Sequence, residues 1–139
     1  MDINSILFQA HSGIRWLVML ALLFVVLRFV VGLTTKSDYD PLAENLLMGF
    51  VAVLTLQWVL GAVYFLVSGL TAGNLLDGAP HLLVMTAAVG VSHTMRGRWT
   101  DKSDAIRYRN ELLLTLGVAL AVFVGVLLLP GGIIRWIGQ

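Results

Sequence analysis

The stretch AHSGIRWLVMLALLF, Ala10 to Phe24, places a histidine and an arginine one helical turn apart in a long apolar run. Ionisable side chains are costly inside a bilayer, and where they occur they mark ligand, ion or charge-handling sites. The chain has three histidines, His11, His81 and His93, and no cysteine. Disulfides, thiolate metal sites and iron–sulfur clusters are therefore excluded. Imidazole chemistry remains. A neutral imidazole ligates transition metals, and haem iron takes such ligands from opposite faces of a planar ring.

The elements that hold these residues follow from composition. The 139 residues are 58% hydrophobic and 12% charged, with a mean hydropathy of +0.89. A soluble domain is about half apolar and about a quarter charged. The chain reads as one integral membrane domain. Four apolar runs, at about 6–33, 42–70, 80–95 and 108–129, are each taken as a spanning helix, with an interfacial tail at 131–139 holding Arg135 and Trp136. The first run lacks a basic start and is too long for a signal-peptide core, so it reads as a retained helix. Pro41 suits the first turn of the second helix, where its missing N–H has no partner to lose. Short links make sequential helices antiparallel neighbours. The expected fold is an all-α, four-helix, up-down membrane bundle.

Lys and Arg orient it. Lys36 lies in the first link, with Arg28 just before it; Arg96, Arg98, Lys102, Arg107 and Arg109 lie in the third; the middle link has none. The basic links belong in the cytoplasm, and both termini then face the outer side. Arg28 and Arg96 serve as cytoplasmic markers for depth. From them, helical rise puts His11 roughly 25 Å and His81 roughly 22 Å toward the outer surface. Matched depth on the first and third helices, diagonal partners in such a bundle, is what a haem held between two imidazoles requires. Taken singly, each histidine could instead bond a neighbouring helix, and His81 could cap the third one. His93 lies near the cytoplasmic end with no histidine at its level. It reads as an interfacial polar residue or hydrogen-bond donor.

Arg15 shares the His11 face one turn deeper. It either snorkels to headgroups or balances a buried anion such as a haem propionate. Gln57 stands roughly 20 Å above Glu44 by the same helical rise, close to the His11/His81 layer. Interhelical bonding is its expected role, with a contact to a cofactor edge or quinone carbonyl as the alternative. Glu44 and Glu111 sit at helix ends, so no carboxylate is expected deep in the membrane. The fourth run offers no ligand and is expected to support the bundle from its lipid side.

Three stretches occur in order: HSGIRW, LQWVLGAVYFLVSG and HLLVMTAAVGVSHTMRGR. Together they resemble a family of small four-helix bacterial membrane proteins labelled b-type cytochromes. The resemblance spans the first three helices. It implies His11 and His81 as haem ligands and puts Arg15, Gln57 and His93 at matching motif positions. Two positions depart from the pattern. Thr55 stands where the family often has a histidine, which leaves the second helix without a ligand for a further haem. Pro80 stands where it often has an acidic residue, which removes an acceptor that would orient His81.

The leading expectation is a haem b electron-transfer protein of the bacterial cytoplasmic membrane, with one bis-histidine haem near the outer surface. It would exchange electrons there with a quinone or a partner cytochrome, as a redox component rather than a stand-alone enzyme. One haem near one surface cannot carry electrons across the full bilayer, which implies a partner complex; homo-oligomers are compatible with it. The competing expectation is a cofactor-free accessory subunit of a larger membrane complex. Transport is disfavoured by the lack of a deep carboxylate. No P-loop, GxSxG or HExxH motif is present, and no basic block for nucleic acid. Orientation is testable directly: in intact cells an impermeant maleimide should label Gly73→Cys and spare Ser37→Cys, and the opposite pattern would invert the topology.

Overall fold

The computed structural model describes residues 2–73, 75–95 and 97–137, with the backbone alone for 135–137. Arg96 and the side chains of Arg135 and Trp136, used above for depth and for the tail, lie outside the described residues. Five helices follow in order: α1 (Ile3–Thr35), α2 (Pro41–Ala72), α3 (Leu75–Thr94), α4 (Asp104–Leu127) and the short α5 (Gly132–Ile137). No strand occurs among the described residues. The first four helices are long and apolar enough to cross a membrane, so the chain is a multi-pass membrane protein. A ring of large apolar side chains, including Leu20, Leu23, Phe24, Leu27, Leu66, Leu83 and Leu120, stays exposed, as a lipid-facing surface requires.

Helix ends are set by local chemistry. Asp2 caps α1 by accepting from the Ser5 N–H at 2.7 Å, and Asp40 caps α2 by accepting from the Ala43 N–H at 2.9 Å. Pro41 occupies the first helical turn as expected. The Ala43 N–H and the Arg28 guanidinium, 2.9 Å away, hold the Asp40 carboxyl below its ordinary range. Lys36 and Gly73 close α1 and α2 in left-handed conformations, with φ of 54° and 71°.

Helix α1 packs on α2 and α4, and α3 packs on α2 and α4, with no backbone approach between α1 and α3 or between α2 and α4 among the described residues. The up-down bundle and the diagonal placement of α1 and α3 are therefore as the sequence implied. Several boundaries differ. Helix α3 starts at Leu75 rather than at residue 80, because the bond Pro80 removes would reach only Leu76, in the helix's first turn. Helix α4 starts at Asp104 rather than 108, since its polar opening turns continue the same helix. It also packs between α1 and α3, not merely on the lipid side. The residues after Pro130 turn through positive-φ Gly131 and Gly132 into α5.

Starting α4 at Asp104 changes the place of Glu111. It lies about two turns inside the helix, fully buried, not at the wet end. Arg107 reaches Glu111 at 3.1 Å and also pairs with Glu44 of α2, so its guanidinium crosses the diagonal that the backbones do not. The same guanidinium lies 3.6 Å from the centroid of the Tyr39 ring. The Tyr39 hydroxyl donates to Glu111, and the Tyr108 hydroxyl donates to the Asp38 carbonyl at 3.1 Å. Burial, then that bond to Glu111, raises the Tyr39 phenol, which stays protonated and able to donate. Phe29, Leu47, Phe50, Met95 and Tyr108 pack beside this cluster, with Gly32 flat against the Tyr108 ring. Arg107→Leu should lower unfolding free energy by about 3–5 kcal/mol, because it strands a buried carboxylate. Arg107→Leu combined with Glu111→Leu should recover much of that loss in the same denaturation assay.

Candidate functional site

The half of the bundle holding the α1 N-terminus packs differently. Between the helices lies a cavity of about 620 Å³, within the size range of sites for drug-sized and cofactor-sized ligands. Its walls are mostly apolar, with Val18, Leu22, Leu54, Phe65, Met85 and Val122 among them. The polar groups on the wall are few: His11, Ser12 and Arg15 from α1, Gln57, Tyr64 and Ser68 from α2, and Asp77 and His81 from α3, with the Trp58 indole on α2. Ile133 of α5 lines the same space, so the tail folds over this end of the bundle. All four residues singled out for a cofactor, His11, Arg15, Gln57 and His81, border this one cavity.

Each histidine is held by its neighbours. His81 Nδ1 donates to the Gly125 carbonyl of α4 at 2.7 Å, since a carbonyl can only accept. In the neutral ring Nε2 then carries the lone pair, the form in which a histidine ligates. The orienting acceptor that Pro80 fails to provide thus comes from the α4 backbone. Gly125 is buried against Met85 and His81: a Cβ there would come within 2.6 Å of Met85 Cε and 3.5 Å of His81 Nδ1. The fourth helix thus orients the His81 ring through its backbone.

His11 is seated against Gly61 of α2, where a Cβ would come within 2.7 Å of His11 Cε1. The Gln57 side-chain amide lies 3.2 Å from His11 Nε2. It joins α1 to α2, which is the interhelical role expected of it. The bond is incomplete, because His11 Nδ1 and Gln57 Oε1 are buried without a hydrogen-bond partner. Turning the amide over does not cure this: either orientation leaves one ring nitrogen and one amide group unspent. Buried polar groups are nearly always satisfied, so this wall keeps unspent hydrogen-bonding capacity. Arg15 borders the cavity one turn along α1, its guanidinium 5.4 Å from the Trp16 ring centroid.

His93 is not part of this wall. It is exposed at the α3 end, where its Nε2 lies 3.0 Å from the Thr55 hydroxyl. Among the described residues no three of His, Cys, Asp or Glu converge on a metal-sized point. A haem needs only two protein donors, because the porphyrin supplies the other four. Sequence reasoning missed Gly61 and Gly125. Gly61 follows Gln57 by one turn and so shares its face, a signal present in the spacing; the Gly125 carbonyl carries no signal in the sequence.

Comparison with protein-family models, with curated proteins and with solved structures gave no match. Gln57→Leu should lower stability by roughly 0.5–2 kcal/mol, the range for one interhelical polar contact in a membrane, measured by denaturation in micelles or bicelles. A larger loss would mean that Gln57 braces more than His11.

Proposed function

We propose that this chain is a haem b electron-transfer protein of the bacterial cytoplasmic membrane, with His11 and His81 as the axial ligands of one haem near the outer side. The observation that carries this reading is the pair of imidazoles bordering one cofactor-sized cavity from diagonal helices, with His81 turned by the Gly125 carbonyl so that Nε2 is free. Glycines beside both rings, Gly61 and Gly125, allow the close approach that a broad planar group between the helices needs. Haem, when bound, supplies one-electron chemistry. The chain's own residues then have distinct roles. His81 and His11 donate ring nitrogens. Gln57 braces α1 against α2 through its amide contact with His11 Nε2, which leaves Nδ1 as the ring nitrogen without a partner. Arg15 provides positive charge at the cavity wall to offset a propionate. The apolar walls exclude water and keep the local dielectric low, which sharpens the effect of that charge.

The Gln57–His11 contact favours a second reading, in which the imidazole serves only to join two helices and the chain is a cofactor-free accessory subunit. An optical spectrum of the protein from its native membrane, oxidised and dithionite-reduced, separates the two. A sharp reduced α band is expected. His11→Ala and His81→Ala should each abolish the low-spin spectrum, and His93→Ala should retain it. Arg15→Leu should keep the haem and lower its midpoint potential, because a nearby cation favours the reduced, less positive iron. Absence of haem from the native protein would establish the accessory reading. Loss of haem in His93→Ala but not in His11→Ala would overturn the ligand assignment.

A further inference from the structure

The second histidine environment has its own chemistry. Between α2 and α3, on the outside of the bundle, lies a crevice of about 120 Å³ lined by Leu47, Met48, Val51, Ala52 and His93. It holds one six-membered ring, not a porphyrin. The Thr55 hydroxyl sits 2.7 Å from the Val51 carbonyl and 3.0 Å from His93 Nε2. A carbonyl accepts only, so the single hydroxyl hydrogen is spent on Val51. Thr55 oxygen must therefore accept from His93 Nε2–H. In the neutral ring this fixes the tautomer and leaves Nδ1 as a bare acceptor. No described group donates to it, and His93 is exposed on a bundle whose outer surface is apolar. Nδ1 is thus an acceptor with no protein donor beside a small apolar crevice.

We propose that this crevice binds the headgroup of a lipid-borne quinol, whose O–H donates to His93 Nδ1. The ring lies on Leu47 and Val51 with the Met48 thioether as a polarisable contact, and the apolar tail stays in the bilayer. The site prefers the reduced form, because the quinone lacks the O–H that Nδ1 accepts from. The crevice lies close to the central cavity. Val89 of α3 and Leu54 of α2 border that cavity, and His93 and Val51 lie one helical turn away on the same helices, roughly 6 Å along the axis. The binding does not rest on the haem reading above. It also moves the quinol contact from the outer side, expected from the sequence, to the opposite half of the bundle.

The test is anaerobic calorimetric titration of the full chain in lipid nanodiscs with a decyl-substituted benzoquinol and with its dimethyl ether, which keeps the ring and loses both O–H donors. Saturable quinol binding is expected, at least tenfold tighter than the ether. His93→Leu should weaken it at least tenfold. Ala52→Phe, an exposed position that fills the crevice and leaves His93 in place, should weaken it as much. Equal affinity for quinol and ether, or unchanged binding in both variants, would overturn the proposal. So would a change from dimer to monomer in His93→Leu, which would make the crevice a contact between copies. Quinol binding by a protein that shows no haem spectrum would refute the haem reading and leave this site standing; a haem spectrum without quinol binding would do the reverse.

Discussion

Arg107 holds together what the bilayer cannot. Apolar contact between helices gains little in lipid, where the tails are as apolar as leucine, so close packing and internal polar bonds must fix the arrangement. One guanidinium engages Glu44 on α2, Glu111 on its own helix and the Tyr39 ring in the first link. It spans a diagonal across which the helix backbones make no contact. A typical interhelical polar contact in a membrane protein contributes about 0.6 kcal/mol, whereas removing one partner from a buried ion pair costs about 3–5 kcal/mol. By these magnitudes, losing one partner of the Arg107 cluster costs more than losing a contact such as Trp58 to Thr86 or Asn4 to Thr71. The Arg28–Asp40 pair and the Tyr108 bond to the Asp38 carbonyl tie the first link to the same end.

That anchorage divides the bundle into a filled half and a hollow half. Phe29, Leu47, Phe50, Met95 and Tyr108 are buried in the core on the side of the cluster. Toward the chain termini the helices enclose the large cavity bordered by His11 and His81. A fixed base allows the other half to keep an opening without the helices collapsing into it. Polar groups at that opening are unevenly satisfied: His81 has a firm backbone acceptor, while His11 and Gln57 share one contact and leave two atoms without partners. Of the two rings, His81 is therefore the more firmly oriented.

Much of this architecture was legible in the residues. Four apolar runs of spanning length dictated four helices, because in hydrocarbon every backbone bond must be made within the segment. Short links dictated antiparallel neighbours, and hence α1 opposite α3. The constant rise of a helix predicts one layer for His11, Gln57 and His81; all three border one cavity, which extends along α1 from Phe8 to Leu22. These inferences needed only periodic geometry along single helices. Helix starts were harder. The polar turns before Tyr108 read as a link, because spans are recognised by apolarity and α4 continues beyond its apolar part.

What the tertiary structure decided were the contacts between segments far apart in the chain. Glu111 read as a residue at a helix end, and only the approach of Arg107 and Tyr39 explains how a carboxylate is fully buried there. His81 lacked an acidic neighbour in sequence, and the acceptor it uses is a backbone carbonyl 44 positions away. Thr55 read only as a missing histidine, yet its hydroxyl fixes the proton on His93. Sequence determined which residues share a depth, since depth follows from rise per residue along one helix. Rotation of each helix about its axis, and so which polar atoms meet, depends on the packing of all four together, and no single segment encodes it.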